Sequence, residues 1–391
     1  MARASQFNPK LESLRGMAAL AVCFTHSLAI YRLDQSAAIW TVPIWRQTFW
    51  TACLTLVNAI FNPNAAVALF FVLSGWVLTV SLTARTSSPF KGTLAFYLRR
   101  CFRILPMMWC ALIFTYLLSK MGHAAPFQQT SDWYAANFEQ PTHLGDLLRN
   151  LFLVDFKISG VTWTMRIELL GSLALPLLVY FYSRSGWYGR LVLLGALAAL
   201  PAFTDNDFRF LICFYVGTLL TDKGIILAYA KRPILLVGLG LAICAIVRLI
   251  PGFNHHPCIR LLGQTTGAAL ILLGVLGESA DFKVLETGPF RVLGRLSYSL
   301  YLLHPAVLGL CAVGAFAIRL YPTVAPTAAN VLIFISSVLI TVALSFLTYQ
   351  WIERPGIVLG SRATQFANVP KENEAVPAPG AIFPAAQDVV E

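Results

Sequence analysis

Charge is scarce in this chain. Asp, Glu, Lys and Arg make up 12% of its 391 residues, about half the ~25% of a soluble domain. With 57% of residues hydrophobic, too little polar side chain is left to cover a water-facing surface. The shortage falls hardest on acids: 18 stand against 29 Lys and Arg, a net charge of +11. In a soluble protein that balance points to nucleic acid. In a chain this apolar it follows from retention of Lys and Arg in cytoplasmic loops, so no nucleic-acid partner is expected. Signature motifs are missing as well: there is no Walker, Rossmann or GxSxG sequence and no internal repeat. Metal-type cysteine spacing is absent. Cys23, Cys101, Cys110, Cys213, Cys244 and Cys311 lie in or beside apolar runs and read as small buried residues. His255, His256 and Cys258 lack acidic or histidine partners at ligand spacing, so no metal site is expected. A disordered, collagenous or disulfide-rich secreted protein is excluded.

Long apolar runs are what the sequence has in quantity. A helix needs about 20 such residues to cross the hydrocarbon core. Candidate spans run over 14–33, 65–84, 104–120, 162–182, 189–203, 208–221, 234–250, 259–278, 296–319 and 326–351, predicting an all-α, polytopic membrane protein with about ten transmembrane helices. The first run lacks a small-residue cleavage site and reads as a retained helix. Charge asymmetry sets the orientation. Arg85, Lys91, Arg99, Arg100 and Arg103 crowd residues 85–103 without an acid, whereas 121–160 hold Asp132, Glu139, Asp146 and Asp155 against Arg149 and Lys157. The positive-inside rule therefore predicts cytoplasmic N- and C-termini. The segment 34–64, with Trp40, Trp45, Trp50, Pro43 and Pro63, is expected to lie at the outer interface rather than span. Residues 362–391 contain four prolines and seven alanines and are expected to form a disordered cytoplasmic tail. One transmembrane domain, 1–361, accounts for the rest.

Within the first span, Arg15 and His26 are eleven residues apart. That is about three turns, so both project from one helix face, roughly 16 Å apart along the axis. An ionisable residue at that depth faces a cavity or a partner, and neutral imidazole is the natural general base near neutral pH. A histidine hydrogen-bonded between helices satisfies the same spacing. Arg100 and Arg103, three apart, share a face and suit bidentate phosphate contacts that Lys does not make; positive-inside anchoring is the alternative. Ser74-Gly75 reads as close helix packing, and Trp163 as an anchor at an outer helix end. Glu168 has several uses open: orienting His26, neutralising Arg15, or pairing with Arg166. His304 precedes Pro305, which frees a backbone carbonyl for it to bond.

Several blocks together resemble acyltransferase family 3, integral-membrane O-acyltransferases of bacterial surface polysaccharides, glycolipids and natural products. Leu11-Glu12-Ser13-Leu14-Arg15-Gly16 followed by His26 resembles the family's opening Arg-x10-His signature. Phe70 to Trp76, Arg100-x-x-Arg103 with Ile104-Leu105-Pro106, Trp163-Thr164-x-x-x-Glu168, Leu293 to Pro305, and Tyr349 to Pro355 resemble later blocks in the family's order. The resemblance implies a catalytic set of His26, Arg15 and Glu168, with Arg100 and Arg103 holding the donor. It implies no permanently bound cofactor, acyl-CoA (acetyl-CoA by default) as donor substrate, a carbohydrate or glycolipid acceptor, membrane lipid around the bundle, and residence in the bacterial inner membrane. It also implies the short form of the family, without an appended esterase-like domain. A polytopic transporter is the competing expectation, since intramembrane charge is equally at home there; against it, no repeat or paired broken helices appear.

Overall fold

The protein is described here from a computed structural model, which covers residues 8–31, 39, 42–83, 89–120, 130–138, 140–277, 280–318, 320 and 326–367. It is all-α: no strand occurs among the described residues, beyond one isolated bridge between Tyr31 and Thr130. The helices are α1 (Pro9–Leu28), α2 (Phe49–Ile60), α3 (Pro63–Leu82), α4 (Pro89–Lys120), α5 (Asp132–Phe138), α6 (Leu144–Leu151), α7 (Trp163–Arg184), α8 (Trp187–Phe203), α9 (Leu211–Leu219), α10 (Lys223–Tyr229), α11 (Pro233–Leu249), α12 (Pro257–Leu276), α13 (Gly288–Ala317), α14 (Pro326–Thr348) and α15 (Arg354–Ala363). A single π turn, Tyr349–Glu353, joins α14 to α15.

Each of the ten expected spans contains a helix, but fewer are membrane-length. Six stretches are long and apolar enough to cross, and a seventh if α9 and α10, bent by 80° with the turn preceding α9, count as one. Helices α8 and α11 have 17 residues each, short of the ~20 that a crossing takes. In α1, Lys10, Glu12 and Arg15 occupy the first two turns and shorten the apolar part. Two boundaries differ more. The arginine-rich connection 85–103 is helical from Pro89 onward, so α4 runs 32 residues and carries Arg99, Arg100 and Arg103 on its own surface; Pro89 opens the helix, and no further proline follows before Pro106. Much of the segment read as interfacial is helix α2, which joins α3 through a break of two residues at Phe61 and Asn62. Trp45 and Trp50 are exposed there, and Trp40 lies outside the described residues. Helix α15 and the turn Gln365–Ala367 carry the folded chain past residue 361; the remainder of the expected tail lies outside the described residues.

Helix α13 is the most enclosed of the membrane-length helices, and α1 packs along it. Backbone touches backbone at their crossing: a Cβ on Gly16 would stand 2.6 Å from the Gly294 nitrogen. Small residues allow such approaches between membrane helices. Gly75 plays the same part between α3 and α9, facing the Phe214 backbone. These two crossings pull α1, α3, α7, α9 and α13 around a shared interior, where the polar residues collect.

Candidate functional site

Helix α1 starts at Asn8, whose side-chain oxygen accepts the Lys10 N–H at 3.0 Å, with Pro9 in the first helical position. That start sets Arg15 two turns in and His26 in the last turn. Each lines a different cavity. Val67 of α3 and Tyr301 of α13 line both, so the cavities share a wall.

The first cavity, about 50 Å³, is bounded by Arg15, Arg100, Arg103, Glu168, Ser74, Thr164 and Tyr298, with Phe70, Phe71, Ile104 and Met165 as apolar walls. Arg100 forms a salt bridge with Glu168, and its Nε donates to Ser172 Oγ at 3.1 Å. Both members of the pair are largely withdrawn from solvent, their side chains 11% and 13% exposed. Arg166 takes no part. Two residues before Glu168, it points to the far side of α7, pairs with Asp207 and lies over the Phe156 ring at 4.4 Å; residues i and i+2 of a helix face away from each other. Glu168 therefore neither pairs with Arg166 nor hydrogen-bonds His26. Arg103 makes no hydrogen bond or salt bridge with the described residues. Close by, Ser299 Oγ donates to Glu353 Oε2 at 2.8 Å, and the Tyr298 hydroxyl donates to the Ile104 carbonyl at 2.7 Å. Arg15 interacts electrostatically with Glu168 and Glu353, Arg100 with Glu168, and Arg103 with Glu353, while Glu12 faces Arg291 and Arg295 as well as Arg15 and Arg103. Five arginines against three glutamates leave a net positive field, an arrangement suited to an anion.

The second cavity, about 250 Å³, is lined by His26, Asn64, Thr115, Trp133, Asn137, Ser159 and Trp163 together with the shared Val67 and Tyr301. The His26 ring lies 4.9 Å from Trp133, centroid to centroid. His26 Nδ1 is 2.9 Å from His304 Nε2, and His304 Nδ1 is 2.7 Å from the Tyr301 carbonyl oxygen. The Tyr301 and Thr164 hydroxyls stand 3.2 Å apart in the shared wall.

The five residues singled out from sequence thus fall into two groups. Arg15, Glu168, Arg100 and Arg103 surround one cavity, and His26 lines the other. His304 bonds the Tyr301 carbonyl, the one Pro305 leaves without a helical donor, and reaches His26 as well. Trp163, expected as an interfacial anchor, instead turns inward, 5.5 Å from Phe210 and 6.4 Å from Phe71. Sequence reasoning passed over Trp133 and Asn137, although their four-residue spacing on α5 places them on one face. Tyr298 and Tyr301 lie inside the Leu293–Pro305 block, and their three-residue spacing carries the same signal.

Comparison with known proteins adds one finding. A family model described as an acyltransferase domain, of the acyltransferase 3 type, matches residues 8–350. No curated protein and no solved structure matches the chain. The matched stretch runs from the cap of α1 into the π turn after α14 and takes in every residue that lines either cavity, so the chain belongs to acyltransferase family 3 and is a multi-pass membrane acyltransferase.

Proposed function

We propose that the protein moves an acyl group, acetyl by default, from acyl-CoA to a hydroxyl of a carbohydrate or glycolipid acceptor in the bacterial inner membrane. The observation that carries this reading is the pair of cavities sharing Val67 and Tyr301, one ringed by arginines and the other holding an imidazole. Both termini are cytoplasmic on this reading, because the excess of Lys and Arg lies at the arginine end. Helix α1 and the short helices α8 and α11 then complete a ten-helix bundle, local thinning of the bilayer accommodating the short ones.

The phosphates of CoA dock at Arg15 of α1 and Arg103 of α4, whose guanidiniums form no salt bridge with the described residues, as that of Arg100 does, and so offer charge-assisted hydrogen bonds. A cavity of about 50 Å³ admits the end of an extended thioester arm and excludes the nucleotide, which stays at its mouth. The arm presents its carbonyl carbon at the Val67–Tyr301 wall. The larger cavity takes the acceptor: Asn64, Asn137, Thr115 and Ser159 offer hydrogen bonds to hydroxyls, and Trp133 and Trp163 offer flat apolar faces. His26 takes the proton of the acceptor hydroxyl as its oxygen attacks the thioester carbon. The C–S bond breaks, an ester forms, and the proton passes to the departing sulfur, releasing CoA as the free thiol. No permanently bound cofactor or metal is needed for these steps.

Mass spectrometry of surface glycans and glycolipids from cells with and without the protein tests the reading. An acyl mass difference that disappears in cells carrying His26→Gln is the expected outcome, since Gln keeps a hydrogen bond but takes no proton near pH 7. Identical glycans in all three strains, or transport of an unmodified solute by reconstituted protein with no acyl-CoA consumed, would overturn it.

A further inference from the structure

We propose that His304 is a positioning residue that fixes the tautomer of His26, so that the atom turned toward the acceptor is a bare Nε2 able to take a proton. This rests on the acyl-transfer reading above for its chemistry, but its geometry stands independently. The chain of causes begins with Pro305. A proline has no N–H, so in α13 the carbonyl four residues earlier, that of Tyr301, receives no helical hydrogen bond from it. His304 Nδ1 lies 2.7 Å from that oxygen. A carbonyl oxygen only accepts, so the proton sits on His304 Nδ1. With the histidine pair carrying no net charge, as apolar surroundings favour, His304 Nε2 is then an acceptor. The contact of 2.9 Å between His304 Nε2 and His26 Nδ1 requires one donor, which must be His26 Nδ1. The second ring nitrogen of His26 is left with its lone pair.

Placement agrees with this assignment. His304 is 2% exposed and does not line the cavity, whereas His26 does. The two rings have centroids 5.2 Å apart and planes 22° from parallel. Trp133 flanks His26 at 4.9 Å, and the crossing of α1 and α13 at Gly16 and Gly294 sets the distance between the helices that carry the pair. As His26 Nε2 takes the acceptor proton, its Nδ1–H···Nε2 bond to His304 becomes charge-assisted and therefore stronger. The interaction is thus tighter in the transition state than in the ground state, which is the condition for raising kcat. Outer partners of this kind commonly fix which nitrogen of a histidine is protonated.

The test uses full-length protein in nanodiscs, with ¹⁵N-labelled histidine observed by NMR and His26→Gln used to assign the His26 signals. Acetyl-CoA serves as donor and octyl glucoside as a model hydroxyl acceptor, with release of free CoA thiol as the rate. Wild-type His26 is expected as the Nδ1–H tautomer. His304→Phe keeps the ring and removes both nitrogens; it should give a mixture of His26 tautomers and a kcat lower by about 10²-fold or more, within the range general-base catalysis supplies. Its KM for acetyl-CoA should stay within about twofold of wild type, because the arginine cavity is untouched. His304→Gln offers an oxygen that accepts from His26 Nδ1–H, so it should hold the tautomer and restore part of kcat. An Nε2–H tautomer in the wild type overturns the proposal, as does unchanged kcat in a folded His304→Phe. Absence of CoA release from wild type in the presence of natural membrane acceptors would instead defeat the acyl-transfer reading, with the NMR result still deciding the hydrogen-bond chain.

Discussion

Arg100→Ala is expected to damage the fold of the protein before it damages donor binding. Arg100 looks like a phosphate ligand from its place in the Arg-x-x-Arg pair, yet its guanidinium is committed to Glu168 and Ser172. The two charged side chains are only 11% and 13% exposed. Removing one member of such a pair leaves the other as an uncompensated buried charge and destabilises by about 3–5 kcal/mol. Native domains are stable by only about 5–15 kcal/mol, so the loss is a large share of the total. Replacing both members with apolar residues of similar size removes the stranded charge and is often neutral or stabilising. The double variant Arg100→Met with Glu168→Leu should therefore melt close to wild type, while Arg100→Ala melts well below it. Thermal unfolding of the purified protein in detergent, run as a double-mutant cycle, measures the coupling. Equal melting temperatures for wild type and Arg100→Ala, with no coupling to Glu168, would refute the reasoning and return Arg100 to the donor.

Arg103 makes no hydrogen bond or salt bridge with the described residues, so Arg103→Ala should lower melting far less than Arg100→Ala does. A lost charge-assisted contact worth about 1.5–3 kcal/mol would raise the KM for acetyl-CoA roughly tenfold to a hundredfold at constant kcat; an unaltered KM would leave Arg103 without a donor role. Cysteine placed at position 140 should react with an impermeant reagent from outside the cell and cysteine at position 90 should not, whereas the reverse pattern would invert the bundle. In the 143–157 segment, a hydrogen bond from Lys157 and one from the His143 N–H hold the Asp146 carboxyl below the usual carboxylate range. A lowered value means these contacts contribute fully above the ordinary pKa of about 3.9 and are lost only as pH falls through the lowered one. Hydrogen exchange at 143–157, corrected for its intrinsic pH dependence, should stay flat from pH 7 to 5, and loosening within that window would contradict the assignment.

Much of the fold could be read from hydropathy alone, because a helix that faces lipid or a packed bundle has to be apolar along its length. Every expected span holds a helix for that reason. Hydropathy failed where the helix is not apolar. Residues 89–103 form the first half of α4 although they carry Arg99, Arg100 and Arg103, because a polar extension of a helix needs no apolar side chains, only the absence of an interrupting proline. The same measure does not separate a short helix from a crossing one: α8 and α11, 17 residues each, are as apolar as helices of 20. At the site, eleven-residue spacing placed Arg15 and His26 on one face, and both do line the interior. Spacing said nothing of partners between helices. That Glu168 meets Arg100 rather than Arg166 depends on how α4 crosses α7, and that His26 meets His304 depends on how α1 crosses α13. Pro305 was the one local clue to such a partner, since a missing N–H leaves a carbonyl that some donor must satisfy.

The separation between the arginines and the histidine is itself explained by charge. On the proposed reading, a donor carrying phosphates needs a positive field, and five arginines against three glutamates supply one. A general base becomes positive as it works, and the same field would oppose that step if the base stood among the arginines. Unit charges 4 Å apart interact by about 4 kcal/mol at an effective dielectric of 20, and the energy falls with distance. Placing Arg15 and His26 three turns apart, about 16 Å at 1.5 Å per residue, lowers that repulsion to about 1 kcal/mol while keeping both on one rigid element. On the same reading a thioester arm would bridge the interval, bringing the reacting carbon to the Val67–Tyr301 wall while its charged end stays behind. One helix would then set the length of the donor: an acyl group on a carrier too short to span from Arg15 to Tyr301 would bind weakly and react slowly. Acetyl-CoA should therefore be turned over, and a truncated acetyl thioester lacking the nucleotide should lose kcat as well as affinity. Equal kcat for the two donors would show that the spacing of Arg15 and His26 has no part in the chemistry.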